Sequence, residues 1–254
     1  MSRLRKGVYH LVMKIHLAGA AGFHWIEEGF FDFYRLLSFY DMTTKEKPYI
    51  SKYKSFMLDS GAFTFMSNSK KTTNWDEYTE RYAAFILKNN IKLFIELDID
   101  VIVGLREVER LRHKLENLVG RQCIPVWHKS RGKQYWIDMC RDYNYVSIGG
   151  IVTGEINSKF FNHFPWFIDI AHSNKAQIHA LGYTDIRGVK KYHFDSVDST
   201  SWIYGNKFGY LYFFNGSALK ILKKNHPGKR LHSQMALINN FKEWVKFARY
   251  MENR

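Results

Sequence analysis

Three short segments each end an apolar run on a carboxylate: MLDSG at 57–61, IELDID at 95–100 and SVDST at 196–200. Asp59, Asp98 and Asp198 therefore fall where a strand would meet its following loop. A carboxylate so placed can attack as a nucleophile, move a proton, or accept hydrogen bonds from the donor edge of a ligand. Parallel α/β barrels assemble active sites from the C-terminal ends of several strands, so acids distant in sequence can converge there.

Other residues extend this set. Small residues after Asp59 (Ser60, Gly61, Ala62) let a ligand approach the backbone, although Asp-Ser-Gly also serves as a plain turn. Period-two alternation along IELDID puts Glu96, Asp98 and Asp100 on one strand face. Three carboxylates on one buried face repel, so at least one must lie beyond the rim or pair with Lys or Arg. The local chemistry leaves a magnesium site, recognition of a donor edge and simple salt bridging open. His128 in PVWHK stands at another strand end, and His179 in IHALG falls within a strand. Gly149 and Gly150, with Glu155 close behind, would leave backbone groups bare for a planar ligand or make a tight turn. Asp195 and Asp198, three apart, face opposite sides of a strand, so only one can point into a barrel mouth.

The body that carries these acids is cationic. Lys and Arg number 38 against 24 Asp and Glu, for a net charge of +14. The basic residues are spread through SRLRK, SKYK, KSRGK, RGVKK and LKKNHPGKR rather than gathered in a tail, which predicts a broad cationic face for a polyanion such as nucleic acid. Aromatics are 17% of the chain, enough for stacking platforms as well as a core. Cys123 and Cys140 form no CxxC pair, so no structural zinc is expected, and the expected compartment is a reducing cytoplasm. The first 22 residues mimic a signal peptide, but His10, Lys14 and His16 interrupt the apolar part, which reads as a strand. No apolar stretch reaches the roughly 20 residues of a membrane span.

The elements that must position the acids alternate. Strands are predicted at 8–19, 55–61, 91–103, 123–129, 145–150, 176–182, 194–200 and 209–216, the last as a strand or hairpin. Helices are predicted at 25–40, at 73–90 with Thr73 as cap, at 106–120, 134–143 and 157–174 (interrupted by Pro165), in a short piece within 184–192, and at 241–251. The 254 residues match the roughly 250 of one barrel, and no repeat or linker divides them. The expectation is an α/β chain: a single-domain (β/α)8 TIM-like barrel over 1–254, with an open doubly wound sheet as the alternative. Neither GxGxxG nor a P-loop is present to support the latter.

Taken together, these segments resemble the tRNA-guanine transglycosylase superfamily, and within it the phage and bacterial 7-deazaguanine DNA transglycosylases. LDSGAF at 58–63 is similar to the superfamily's motif carrying a general acid/base aspartate. The LD of IELDID is similar to the segment whose aspartate reads the base, and IGGIVTGE at 148–155 to its glycine-pair motif. SVDSTSW at 196–202 resembles the DNA branch's nucleophile segment, and PVWHK and IHALG also resemble that branch. The likeness spans about residues 13–202 as scattered motifs. It departs from the tRNA enzymes in lacking their zinc subdomain, since residues 203–254 hold no cysteine. FDSV offers Asp195 as the alternative nucleophile.

The resemblance implies exchange of guanine in DNA for a free 7-deazaguanine of the preQ0 type. Asp198 would be the nucleophile and Asp59 the proton carrier. Asp98, Gly149, Gly150, His128 and His179 would hold the base. It implies no metal or redox cofactor and no membrane, with DNA as single strand or flipped guanine. It leaves open a homodimer or partner proteins, a tRNA substrate, and a catalytically silent nucleic-acid-binding subunit. A magnesium-dependent phosphohydrolase built on Glu96, Asp98 and Asp100 is the competing enzyme reading.

Overall fold

The computed structural model describes residues 12–40, 42, 45–61, 73–203, 210–222 and 233–254. Residues 8–11 of the first predicted strand, Ala62 and Phe63 of the LDSGAF motif, and the basic segments 2–6 and 223–230 lie outside the described residues.

Eight parallel strands make one sheet: β1 (Lys14–Ala18), β2 (Tyr34–Ser38), β3 (Ser55–Asp59), β4 (Leu93–Phe94), β5 (Val126–Trp127), β6 (Tyr145–Ile148), β7 (Gln177–Ala180) and β8 (Ser196–Ser199). Their order is β4-β3-β2-β1-β8-β7-β6-β5. The two ends of that order meet. Ile95 bridges Ile124, Ile124 N–H donates to Phe94 O at 2.8 Å, and Glu96 N–H donates to Ile124 O at 3.0 Å. The chain is thus an α/β barrel of the TIM type, with β1 between β2 and β8.

Alternation along the strands separates two apolar layers. Ala18, Leu36, Met57, Ile95, Ile124 and Val126 form one cluster inside the ring. Ile15, Leu17, Leu37, Phe56 and Leu58 face outward into the larger core under the helices. Those helices include α1 (His24–Glu27), α2 (Trp75–Lys88), α3 (Asp100–Val103), α4 (Leu105–Val119), α5 (Gly132–Asp142), α6 (Phe164–Ser173), α7 (Ile186–Lys191) and α8 (Ser233–Glu252). After the barrel, β9 (Leu211–Phe214) and β10 (Leu219–Leu222) pair antiparallel and pack on α8. Asn240 of α8 receives Tyr212 N–H and Glu243 receives Phe214 N–H, fixing the hairpin to the helix.

Four local expectations are corrected. Residues 25–40 are not one helix: α1 stops at Glu27, Gly29 turns the chain at φ 66°, and β2 follows. The period-two signal was Tyr34, Leu36 and Ser38 facing in, with Arg35 and Leu37 facing out. The strand predicted over 91–103 is regular only at Leu93–Phe94, and Asp100 already opens α3. Asn74, not Thr73, caps α2, its side chain accepting Glu77 N–H. Pro165 does not interrupt a helix but sits in the first turn of α6, where no N–H donor is needed.

Candidate active site

Each of the eight barrel strands, or the loop that follows it, contributes to one cavity of about 640 Å³ at the C-terminal mouth. Its wall carries Gly19 after β1, Ser38 of β2, Asp59 of β3, Asp98 after β4, His128 after β5, Gly149 and Gly150 after β6, Gly182 after β7, and Asp198 of β8. The three acids read from the sequence therefore converge, and they interact: burial first, then the charges of Asp98 and Asp198, raise Asp59 to about 7. The Gly61 N–H, donated to Asp59 Oδ2 at 3.2 Å, works the other way. Gly61 itself stands at φ 87°, and a Cβ there would lie 2.6 Å from Tyr40 Cβ and 2.7 Å from Ser38 Oγ. Only glycine lets the chain leave β3 so close to the end of β2.

Asp198 is held from below. Its Oδ1 accepts Gly182 N–H at 2.6 Å and faces His179 Nε2 at 3.2 Å. His179 Nδ1 is bonded to Ser196 Oγ, which lies 2.6 Å from the Tyr145 hydroxyl. The Asp198 carboxylate can accept His179 Nε2–H, while the Ser196 hydroxyl bridges His179 Nδ1 and the Tyr145 hydroxyl. Asp198 Oδ2 has no partner among the described residues, and its carboxylate is part of the cavity wall. His179 is fully buried and is not part of the wall, so it supports Asp198 rather than meeting a base. Asp195 lies at the opposite end of β8, where its Oδ2 accepts Ile178 N–H at 2.8 Å and bonds His172 Nε2 at 3.0 Å.

Asp98 Oδ1 is 2.6 Å from His128 Nε2, and His128 Nδ1 is 2.9 Å from Glu155 Oε2. Burial opposes a charge on His128, but its hydrogen bonds to Asp98 and Glu155 and the charge of Asp100 prevail and raise it to about 9. His128 is therefore an imidazolium at neutral pH, donating from both nitrogens, and it leaves Asp98 Oδ2 for a ligand. Gly149 makes room for it: a Cβ would come 2.6 Å from Val126 Cγ1 and 2.9 Å from His128 Cε1. The expectation that Gly149 leaves its N–H bare is corrected, because that group donates to Trp127 O at 2.9 Å within the sheet.

The shared face of Glu96, Asp98 and Asp100 is also corrected. Alternation holds as far as Glu96, which follows the inward Ile95 and so faces out, and it breaks before Asp98, which turns back into the cavity. Glu96 turns out of the barrel and is fully buried between Arg131 at 3.0 Å and Arg112 at 3.3 Å, with Val126 N–H at 2.8 Å. Asp100 pairs with Arg131 Nε at 3.2 Å. Asp98, Asp100 and His128 do bring ligand-type atoms within 4.8 Å of one another. However, these atoms already satisfy one another or Arg131. A cation there would have to displace the short Asp98–His128 bond and sit beside a guanidinium. The donor set fits an ion-pair network better than a metal.

Sequence reading missed Arg35, hidden within the segment taken as helix. Fully buried, it is bidentate to Glu46 and donates to Leu17 O at 2.6 Å and Gly19 O at 2.8 Å. It thereby ties the end of β1, at the cavity edge, to β2. An arginine alternating with apolar residues was the only signal. Gly182 was missed as the donor to Asp198 because it follows β7 whereas Asp198 lies in β8.

Among the described residues no helix is long and apolar enough to cross a membrane. No family model matches this sequence, and no curated protein does. Among solved structures the chain is similar to the CutC copper homeostasis protein from Streptococcus agalactiae, at 10% identity and a TM-score of 0.49 over 74% of this chain and 98% of that one.

Proposed function

We propose that this protein exchanges a guanine base in DNA for a free 7-deazaguanine through a covalent aspartyl–glycosyl intermediate. The observation that carries the reading is that Asp59, Asp98 and Asp198 line one cavity with complementary states. One carboxyl is raised to about 7, one is bonded to an imidazolium, and one has a free oxygen above a buried hydrogen-bond chain.

In this reading Asp198 Oδ2 attacks C1′ of the target nucleotide. The C1′–N9 bond breaks, and the protonated Asp59 delivers its proton to the departing guanine. The incoming base then attacks C1′ through N9, loses its N–H proton to Asp59 and frees Asp198. Asp98 Oδ2 accepts from the N1–H and amino edge of either base. A group titrating near 7 suits both directions of proton transfer, because each form is populated at working pH. Glu96 and Asp100, neutralised by arginines, give no support to the magnesium-dependent phosphohydrolase.

The test is incorporation of labelled 7-deazaguanine into guanine-containing DNA, with adducts followed on denaturing gels. Asp198→Asn should abolish both exchange and adduct while DNA binding persists. Binding without any base release by the wild-type protein would instead establish a silent nucleic-acid-binding subunit. Exchange into tRNA but not DNA would move the substrate to RNA.

A further inference from the structure

Beside the cavity, on the outer face of the β5 end, lies a second recess of about 210 Å³ lined by Trp127, Phe160, Trp166 and Phe167, with Lys129 and Lys133 at its lip. Adjacent strand residues point to opposite faces, so Trp127 backs this slot while His128, next in the chain, lines the cavity. Trp127 and Phe167 are buried and form the floor, with ring centroids 4.6 Å apart. Phe160 and Trp166 are half-buried and form the walls. Lys129 Nζ stands 6.0 Å from the Phe160 ring and Lys133 Nζ 5.5 Å from the Trp166 ring. Both lysines are exposed, and neither has an acidic partner among the described residues. No acid lines the slot.

Resting on the proposed function, we infer that this slot takes a base flanking the target nucleotide of single-stranded DNA, with a neighbouring phosphate on Lys129 and Lys133. A bare anion would leave the aromatic floor unused, and a neutral aromatic ligand would leave two unneutralised cations at the lip. A cationic ligand would be repelled. A nucleotide satisfies both the π-faces and the charges. The slot opens at the same end of the barrel as the cavity, so a strand with one nucleotide turned into the mouth can reach it.

The experiment uses the full chain and a labelled oligothymidylate, with binding followed by anisotropy across a salt series. Trp166 is chosen because it is half-buried and its loss spares the floor. Trp166→Ala should weaken binding about 5- to 150-fold, the range of one base–aromatic stack, while Trp166→Phe stays near wild type. Lys133→Ala should lower the slope of log affinity against log salt by about 0.7, the single-strand value for one phosphate contact. Wild-type affinity in Trp166→Ala, or equal losses in the Ala and Phe variants, would overturn the slot. So would an equal loss of affinity for heparin, a polyanion without bases. If the wild-type protein binds no oligonucleotide, the nucleic-acid reading itself falls. Binding that ignores Trp166 sinks the slot alone.

Discussion

Asp59→Asn should gain stability relative to the wild type as pH rises from 5 to 8, with most of the gain reached by about pH 7. In the folded protein Asp59 is raised from an ordinary 3.8 to about 7, by burial and then by Asp98 and Asp198. Between these two values the folded state holds a proton that the unfolded chain has released. Stability therefore falls as pH rises, at about 1.4 kcal/mol per pH unit. The contribution is fully present below about pH 4, is lost through about pH 7, and is flat above that. Integrated over pH 5 to 8, the wild type loses about 2 to 3 kcal/mol that a neutral amide does not lose. For a chain of this size that corresponds to a gap of about 5–10 °C in Tm that opens between the two pH values. The assay is thermal or denaturant unfolding of both proteins at pH 5, 6, 7 and 8, read as the difference between them. Groups common to both, His128 included, largely cancel. Parallel curves over this window would refute the argument, because they would mean that Asp59 is ionised in the folded state throughout. The assay needs no substrate, so it tests the electrostatics of the mouth independently of the reaction.

Further expectations follow from the same geometry. If the proposed exchange holds, Asp195→Asn should retain it, since Asp195 bonds His172 and Ile178 N–H away from the cavity. A dead Asp195→Asn with an active Asp198→Asn, in the incorporation assay, would reverse the assignment. Gly149→Ala should cost about 1–3 kcal/mol through overpacking on Val126 and His128, and should weaken free-base binding as His128 leaves Asp98. Unfolding curves and base titration measure the two effects. Arg131→Met should destabilise by about 3–5 kcal/mol, because Glu96 and Asp100 each lose a buried ion-pair partner, whereas a double variant with Glu96→Gln should recover part of the loss.

Sequence alone determined much of this protein. Apolar runs ending at Asp59 and Asp198, and helices such as 106–120 stopped by Gly120, were enough for the α/β alternation, because period and punctuation are local properties. The opposite facing of Asp195 and Asp198 was also legible, since it follows from strand geometry alone. Segment 25–40 was misread because aromatic residues at i, i+3 and i+4 spacing mimic a helix face, and Gly29 was the only break. What the tertiary structure decided was pairing across strands. Which carboxylates face the cavity and which are neutralised depends on Arg112 and Arg131 arriving from other elements. Glu96 could not be told from Asp98 by alternation, because the ladder ends between them. Likewise the sequence places His179 only within a strand, and its role at the base came from the resemblance alone. Only the pairing of β7 with β8, in the register that sets His179 opposite Ser196, puts it beneath Asp198 and links it to Ser196 and Tyr145.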